Sequence, residues 1–89
     1  MLSADYDDLA LHISRAAEFL QAAKRPEEAL LVAEVATRHY PNYRDAFLVL
    51  GFLAEANGHK ELAREAAKRS LQLDPNNRLA RTLTERLTP

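Results

Sequence analysis

The chain contains no cysteine. That excludes a disulfide framework, a catalytic thiol and any thiolate-held metal. Two glycines and four prolines in 89 residues are too few for the many tight turns of an all-β fold. Tryptophan is absent and aromatic residues make up only 7%. Charge of one sign is missing too: twelve Lys+Arg against thirteen Asp+Glu leave a net −1. No global field therefore draws the chain to nucleic acid or anionic lipid. No uninterrupted apolar run approaches membrane-spanning length. The N-terminal stretch, with Asp5, Asp7 and Asp8, is opposite in charge to a secretory leader. Membrane insertion is not expected, and the expected compartment is the cytoplasm.

What is present is the composition of a small folded domain, 47% hydrophobic and 28% charged. The whole of 1–89 reads as a single all-α domain of about five helices joined by short turns. Asp5 followed by Asp8, then Leu9, Ile13 and Leu20, predicts a capped first helix running to about Ala23. Pro26 suits the first turn of the next helix, where its missing N–H is not needed, and Glu27 and Glu28 sit at that helix's positive end. This second helix fades at His39-Tyr40-Pro41-Asn42. A third is predicted from about Tyr43 to Ala56, with Gly58 supplying a left-handed exit. A fourth covers about Lys60 to Leu73, and a fifth about Asn77 to Leu87.

The chain repeats itself. Pro41-Asn42 and Pro75-Asn76 are 34 residues apart, as are Glu27 and Glu61, Ala29 and Ala63, Ala33 and Ala67, and Ala22 and Ala56. Residues 10–43 align on 44–77 without a gap. A helix–turn–helix unit of this period, with Phe47-x-x-Leu50-Gly51-x-x-Ala54 in its first helix and Ala63-x-x-x-Ala67, Ser70 and Pro75 in its second, resembles the tetratricopeptide repeat family. The first unit is more divergent, with Ile13, Ala16, Ala17 and Leu20, then Ala29, Ala33, Ala36 and Pro41. Lys24 stands where the second unit has Gly58. The resemblance implies an α-α superhelix of two hairpin repeats, about 10–43 and 44–77, plus a C-terminal capping helix at about 77–87. Ala17, Gly51, Ala29, Ala63, Ala36 and Ser70 are small where antiparallel helices must approach closely. Ile13, Leu20, Phe47 and Leu50 are the residues expected to fill the space between them. Arg81, Thr84, Glu85 and Thr88 leave the outer face of the fifth helix polar, as a terminal cap requires. Leu79, Leu83 and Leu87 form a stripe expected to cover the preceding repeat.

On the third helix, Phe47, Leu50, Gly51 and Ala54 point one way and Asp45, Leu48, Phe52, Glu55 and Ala56 another. Phe47 to Ala54 is an unbroken apolar run, so this helix is either buried on every side or awaits a partner. The tetratricopeptide resemblance implies that the second face lines a concave groove, with Leu11, Ser14 and Glu18 of the first helix beside it. The candidate binding residues are thus Leu11, Ser14, Glu18, Asp45, Leu48, Phe52 and Glu55, with Arg86 as basic neighbour from the cap. The modules of this family that clamp a chaperone's C-terminal carboxylate use Lys, Arg and Asn there, a set this groove does not have. Leu and Phe ringed by Glu18, Asp45 and Glu55 suit an amphipathic helix or extended apolar segment. Leu31 and Val35 make a second apolar spot, expected to pack under the N-terminal extension.

Residues for chemistry are sparse. His12, His39 and His59 show no metal-ligand spacing. Asp5-x-Asp7-Asp8 lacks the glycine and terminal glutamate of a calcium loop. Ser3, Ser14 and Ser70 have no histidine at a plausible partner spacing, and there is no glycine-rich phosphate loop. The expectation is a non-catalytic protein–protein interaction module, not an enzyme, with no cofactor, no metal and another protein as partner. A homodimer remains open. Two alternatives stand beside it: a small secretion chaperone of the type III needle-subunit kind, masking an amphipathic helix, and a nucleic-acid-binding helical domain. The second rests on Ala54-x-x-x-Gly58 followed by Lys60, Arg64, Lys68 and Arg69, but Glu61 and Glu65 interrupt that basic face.

Overall fold

A computed structural model describes the backbone of residues 2–88 and the side chains of residues 11–88. Five helices follow one another: α1 (Leu2–Ala22), α2 (Pro26–His39), α3 (Arg44–Ala56), α4 (Lys60–Leu73) and α5 (Arg78–Leu87). They account for 81% of the chain, as an all-α reading of the sequence requires, and no strand occurs among the described residues. α1 starts at Leu2, ahead of Asp5, so Asp5 lies within the helix and not at its cap. Pro26 opens α2 with Glu27 and Glu28 in its first turn, where the peptide dipoles favour negative charge. Asn77 caps α5 by accepting a hydrogen bond from the Ala80 amide at 2.8 Å.

The 34-residue recurrence is written into the backbone. α2 and α4 begin and end 34 positions apart, α1 and α3 end 34 apart, and α3 and α5 begin 34 apart. At the first hairpin turn the Lys24 amide donates to the Gln21 carbonyl and the Arg25 amide to that of Leu20. The Gly58 amide donates to Glu55 and the His59 amide to Ala54, the same pair of bonds one repeat later. The link from α2 to α3 and that from α4 to α5 correspond as closely. Tyr40 bonds back to Ala36 and Asp74 to Ser70, while Tyr43 bonds to Tyr40 and Asn77 to Asp74.

Each helix packs on the next in sequence, and α3 also packs on α1 and α5, so α3 touches every other helix. The seams are close because their residues are small. Ala17, Ala29, Ala36, Ala63 and Ser70 are fully buried. Gly51 has the tightest requirement: a Cβ there would lie 2.7 Å from Leu83 Cδ2 and 3.7 Å from both the Ala63 carbonyl and Ala66 Cβ. Its missing side chain therefore admits α4 and α5 together. Leu50 is buried as expected, whereas Ile13, Leu20 and Phe47 are only half-buried.

Polar ties lock the turns to their neighbours. The Arg69 guanidinium reaches the Pro41 carbonyl at 3.1 Å and lies 5.9 Å from the centre of the Phe47 ring. Arg44 pairs with Asp45 and, at 2.6 Å, with Asp74, and these bonds hold its pKa above the usual value. Arg64 donates to the Leu87 carbonyl at 2.8 Å, fastening the end of α5 to α4.

Two expectations need correction. Leu83 and Leu87 are buried, at 0% and 8% exposure, but Leu79 is 58% exposed and does not cover the preceding repeat. The near-100° step per residue swings positions four apart gradually around the helix, so a three-leucine stripe does not stay on one face. Leu31 is 59% exposed and Val35 half-buried, so the spot is covered only in part, and the side chains of the N-terminal extension lie outside the described residues.

Candidate functional site

A groove of about 420 Å³ runs across α1, α3 and α5. α1 contributes Leu11, Ser14, Arg15 and Glu18; α3 contributes Asp45, Leu48, Val49, Phe52 and Leu53; α5 contributes Leu79. These positions share one angular sector of each helix, because Leu11, Arg15 and Glu18 correspond to Asp45, Val49 and Phe52 at the 34-residue spacing. Leu79 corresponds in turn to Asp45. The repeat therefore builds the groove, one helix per unit.

The floor is apolar. Leu48 and Leu53 are buried at 6% and 7% exposure, while Val49 and Phe52 are half-buried. Leu48 is thus anchored in the protein and presents only a small surface to the groove; Phe52 presents more. Leu79, left without a core role, forms part of the wall. Ser14 is 3% exposed and its hydroxyl finds no hydrogen-bond partner.

The rim is charged. Glu18 is exposed, and Asp45 accepts a hydrogen bond from Arg44 Nε at 2.8 Å. Glu55 and Arg86 do not line the groove but pair with each other beside it, Arg86 Nε donating to Glu55 Oε2 at 2.8 Å. These bonds lower the Glu55 pKa below its usual carboxylate value and raise that of Arg86. The same guanidinium lies 5.9 Å from the centre of the Phe52 ring and so fixes one edge of the groove. Six of the eight sequence candidates (Leu11, Ser14, Glu18, Asp45, Leu48 and Phe52) line one cavity. Arg15 and Val49 join it without having been singled out, although their 34-residue spacing on the groove side would have found them. Arg15, not Arg86, is the cation on the lining.

Among the described residues no group of three or more His, Asp or Glu side chains could hold a metal ion. No described helix is long and apolar enough to cross a membrane. No protein-family model matches the chain, and neither any curated protein nor any solved structure matches it significantly.

Proposed function

We propose that the chain is a non-catalytic interaction module of tetratricopeptide type, which holds an amphipathic helix or apolar segment of another protein in the groove across α1, α3 and α5. The observation that carries this reading is the groove itself: an apolar floor of Leu48, Val49, Phe52 and Leu53 inside a rim bearing Glu18 and Asp45. A partner that lays two or three apolar side chains on that floor and a basic residue near Glu18 satisfies both parts. The 34-residue recurrence of helix ends and turn bonds supports the family assignment. The small-residue seams at Ala17, Gly51, Ala29 and Ala63 support it as well.

Phe52→Glu is the informative variant, because Phe52 is half-buried and its replacement can reach Arg86, whereas changing Leu48 would disturb the core. Circular dichroism should show an unchanged fold. Losing one aromatic anchor removes about 2 kcal/mol of binding, so partners captured by the wild type from host extract should be retained more than tenfold less well. Amide shifts of the captured segment's complex should map to Glu18, Val49 and Phe52. Normal capture by a folded Phe52→Glu protein defeats the reading.

A further inference from the structure

Three serine or threonine side chains are buried among the described residues: Ser14, Thr37 and Ser70. Two of them return their proton to their own helix. Thr37 Oγ1 donates to the Glu34 carbonyl at 2.8 Å and Ser70 Oγ to that of Ala67 at 2.7 Å. The half-buried Thr84 does the same, donating to the Ala80 carbonyl at 2.8 Å. Of the three buried hydroxyls only that of Ser14 makes no such bond, and it has no other partner. A buried hydroxyl left unpaired is disfavoured. Packing alone does not call for one here, because Leu48 holds the same position one repeat later. Ser14 lines the groove, on the α1 wall between Leu11 and Glu18.

We propose that Ser14 is the point at which the groove reads the backbone of an extended peptide segment, its hydroxyl donating to a main-chain carbonyl of the occupant. This rests on the groove being a protein-binding site, and it commits that site to an extended segment in place of a helix. A helix has no main-chain carbonyl to spare on its contact face, since each already accepts from the amide four residues on. An extended segment offers one at every residue and alternates its side chains from side to side. Leu11 to Glu18 and Asp45 to Phe52 each run for two helical turns, about 10 Å, the length of about three extended residues. The first and third of these set apolar side chains on the floor of Leu48, Val49, Phe52 and Leu53, and a carbonyl between them faces Ser14. Glu18 lies about 6 Å further along α1, close to the roughly 6.6 Å that two extended residues cover. A basic side chain two residues past that carbonyl therefore meets the exposed Glu18. Rotation about the Cα–Cβ bond carries Oγ between staggered positions, so Ser14 turns to the occupant with no movement of α1.

The probe is the blocked tetrapeptide acetyl-Leu-Ala-Leu-Lys-amide, too short to form a helix in water. Titrated into the wild type and followed by amide shifts, it should bind saturably, with the largest shifts at Ser14, Val49 and Phe52. Ser14→Ala should keep its helix content, melt no lower than the wild type, and bind the peptide about threefold to tenfold more weakly, the loss expected of one hydrogen bond. A second probe carries an ester in place of the Ala-Leu amide, which leaves a poorer acceptor at the carbonyl assigned to Ser14. It should lose several-fold against the wild type and little against Ser14→Ala. Equal binding of the tetrapeptide by Ser14→Ala overturns the proposal, as does an ester loss that is the same in both proteins. Either result leaves the groove reading in place if Phe52→Glu still weakens the peptide. A wild type that ignores the tetrapeptide but binds a sixteen-residue amphipathic helix also overturns the proposal alone. A folded Phe52→Glu protein that binds the tetrapeptide as tightly as the wild type overturns the groove reading and this proposal with it.

Discussion

Lys24 and Gly58 stand at the same point of successive hairpins, both with left-handed backbone, at φ 63° and 81°. One is a residue that adopts this conformation readily and the other is not, yet the surrounding hydrogen bonds are the same. The hairpin frame is thus imposed by the packing on either side of the turn, and the turn residue only tunes its stability. The same lesson holds across the two units. Repeat one has Ala17 and Ser14 where repeat two has Gly51 and Leu48. The difference is that α3 packs on all four other helices, whereas α1 packs on α2 and α3 alone among the described helices. Enclosure makes repeat two dependent on tight fit, and its loss should be felt there first.

The largest effect expected is at the cap. Leu83 is fully buried beside Gly51, so Leu83→Ala should lower the free energy of unfolding by about 2–5 kcal/mol. Leu79→Ala, at a side chain 58% exposed, should change it by less than about 0.5 kcal/mol. Urea denaturation of the two variants measures the contrast, and equal losses would restore the continuous leucine stripe that the sequence suggests.

Next in size is Gly51→Ala. On an open helix surface alanine would stabilise by about 1 kcal/mol. Here its Cβ meets Leu83 Cδ2 at 2.7 Å, and Leu83 is enclosed, so the variant should instead destabilise by about 1–2 kcal/mol. In a Leu83→Ala background the clash is gone and the sign should reverse. Additive effects in this double-mutant cycle would show that Gly51 is not the contact that admits α5.

Much of this arrangement was legible in advance. Pro26, Gly58, Asn77 and the paired prolines place the helix ends, and the resemblance drawn from the 34-residue repeat implies one surface for Leu11, Glu18, Asp45 and Phe52. Three things were not. Leu48 carries no mark separating a groove-lining leucine from a buried one, because its exposure depends on how closely α1 approaches. Leu79 reads as core by spacing, and only the rotation of α5 on α4 turns it outward. Lys24 hides a left-handed turn, since the energy that holds it there comes from contacts elsewhere.

Exchanging the two turn residues follows, with smaller effects. Lys24 is exposed and its backbone is left-handed, so Lys24→Gly should raise stability by about 0.5–1 kcal/mol. Gly58→Lys should lower it by about 1 kcal/mol, although nothing lies within 4 Å of the added Cβ, because the backbone conformation alone is unfavourable. Thermal melting of the pair should give shifts of opposite sign.

The smallest difference concerns Gln21 and Glu55, another pair one repeat apart. Gln21 ties α1 to the end of α3 through a neutral bond, accepting from Asn57 Nδ2 at 3.0 Å. Glu55 does the corresponding work with charge, accepting from Arg86. Both partners of the second tie are near solvent, where an ion pair is weak and screened by salt. Only Glu55 should titrate. Its folded pKa is lowered by the Arg86 bonds, so its contribution is fully present above the unfolded carboxylate value of about 4.3. As pH falls through the lower folded value, the contribution disappears. Wild type should thus exceed Glu55→Gln slightly in stability near neutral pH at low salt, and the two should converge in acid. Gln21→Ala should instead show a difference that is flat over the same range. A Glu55→Gln difference that persists in acid would place the bond's value in shape and hydrogen bonding, as at Gln21, and not in charge.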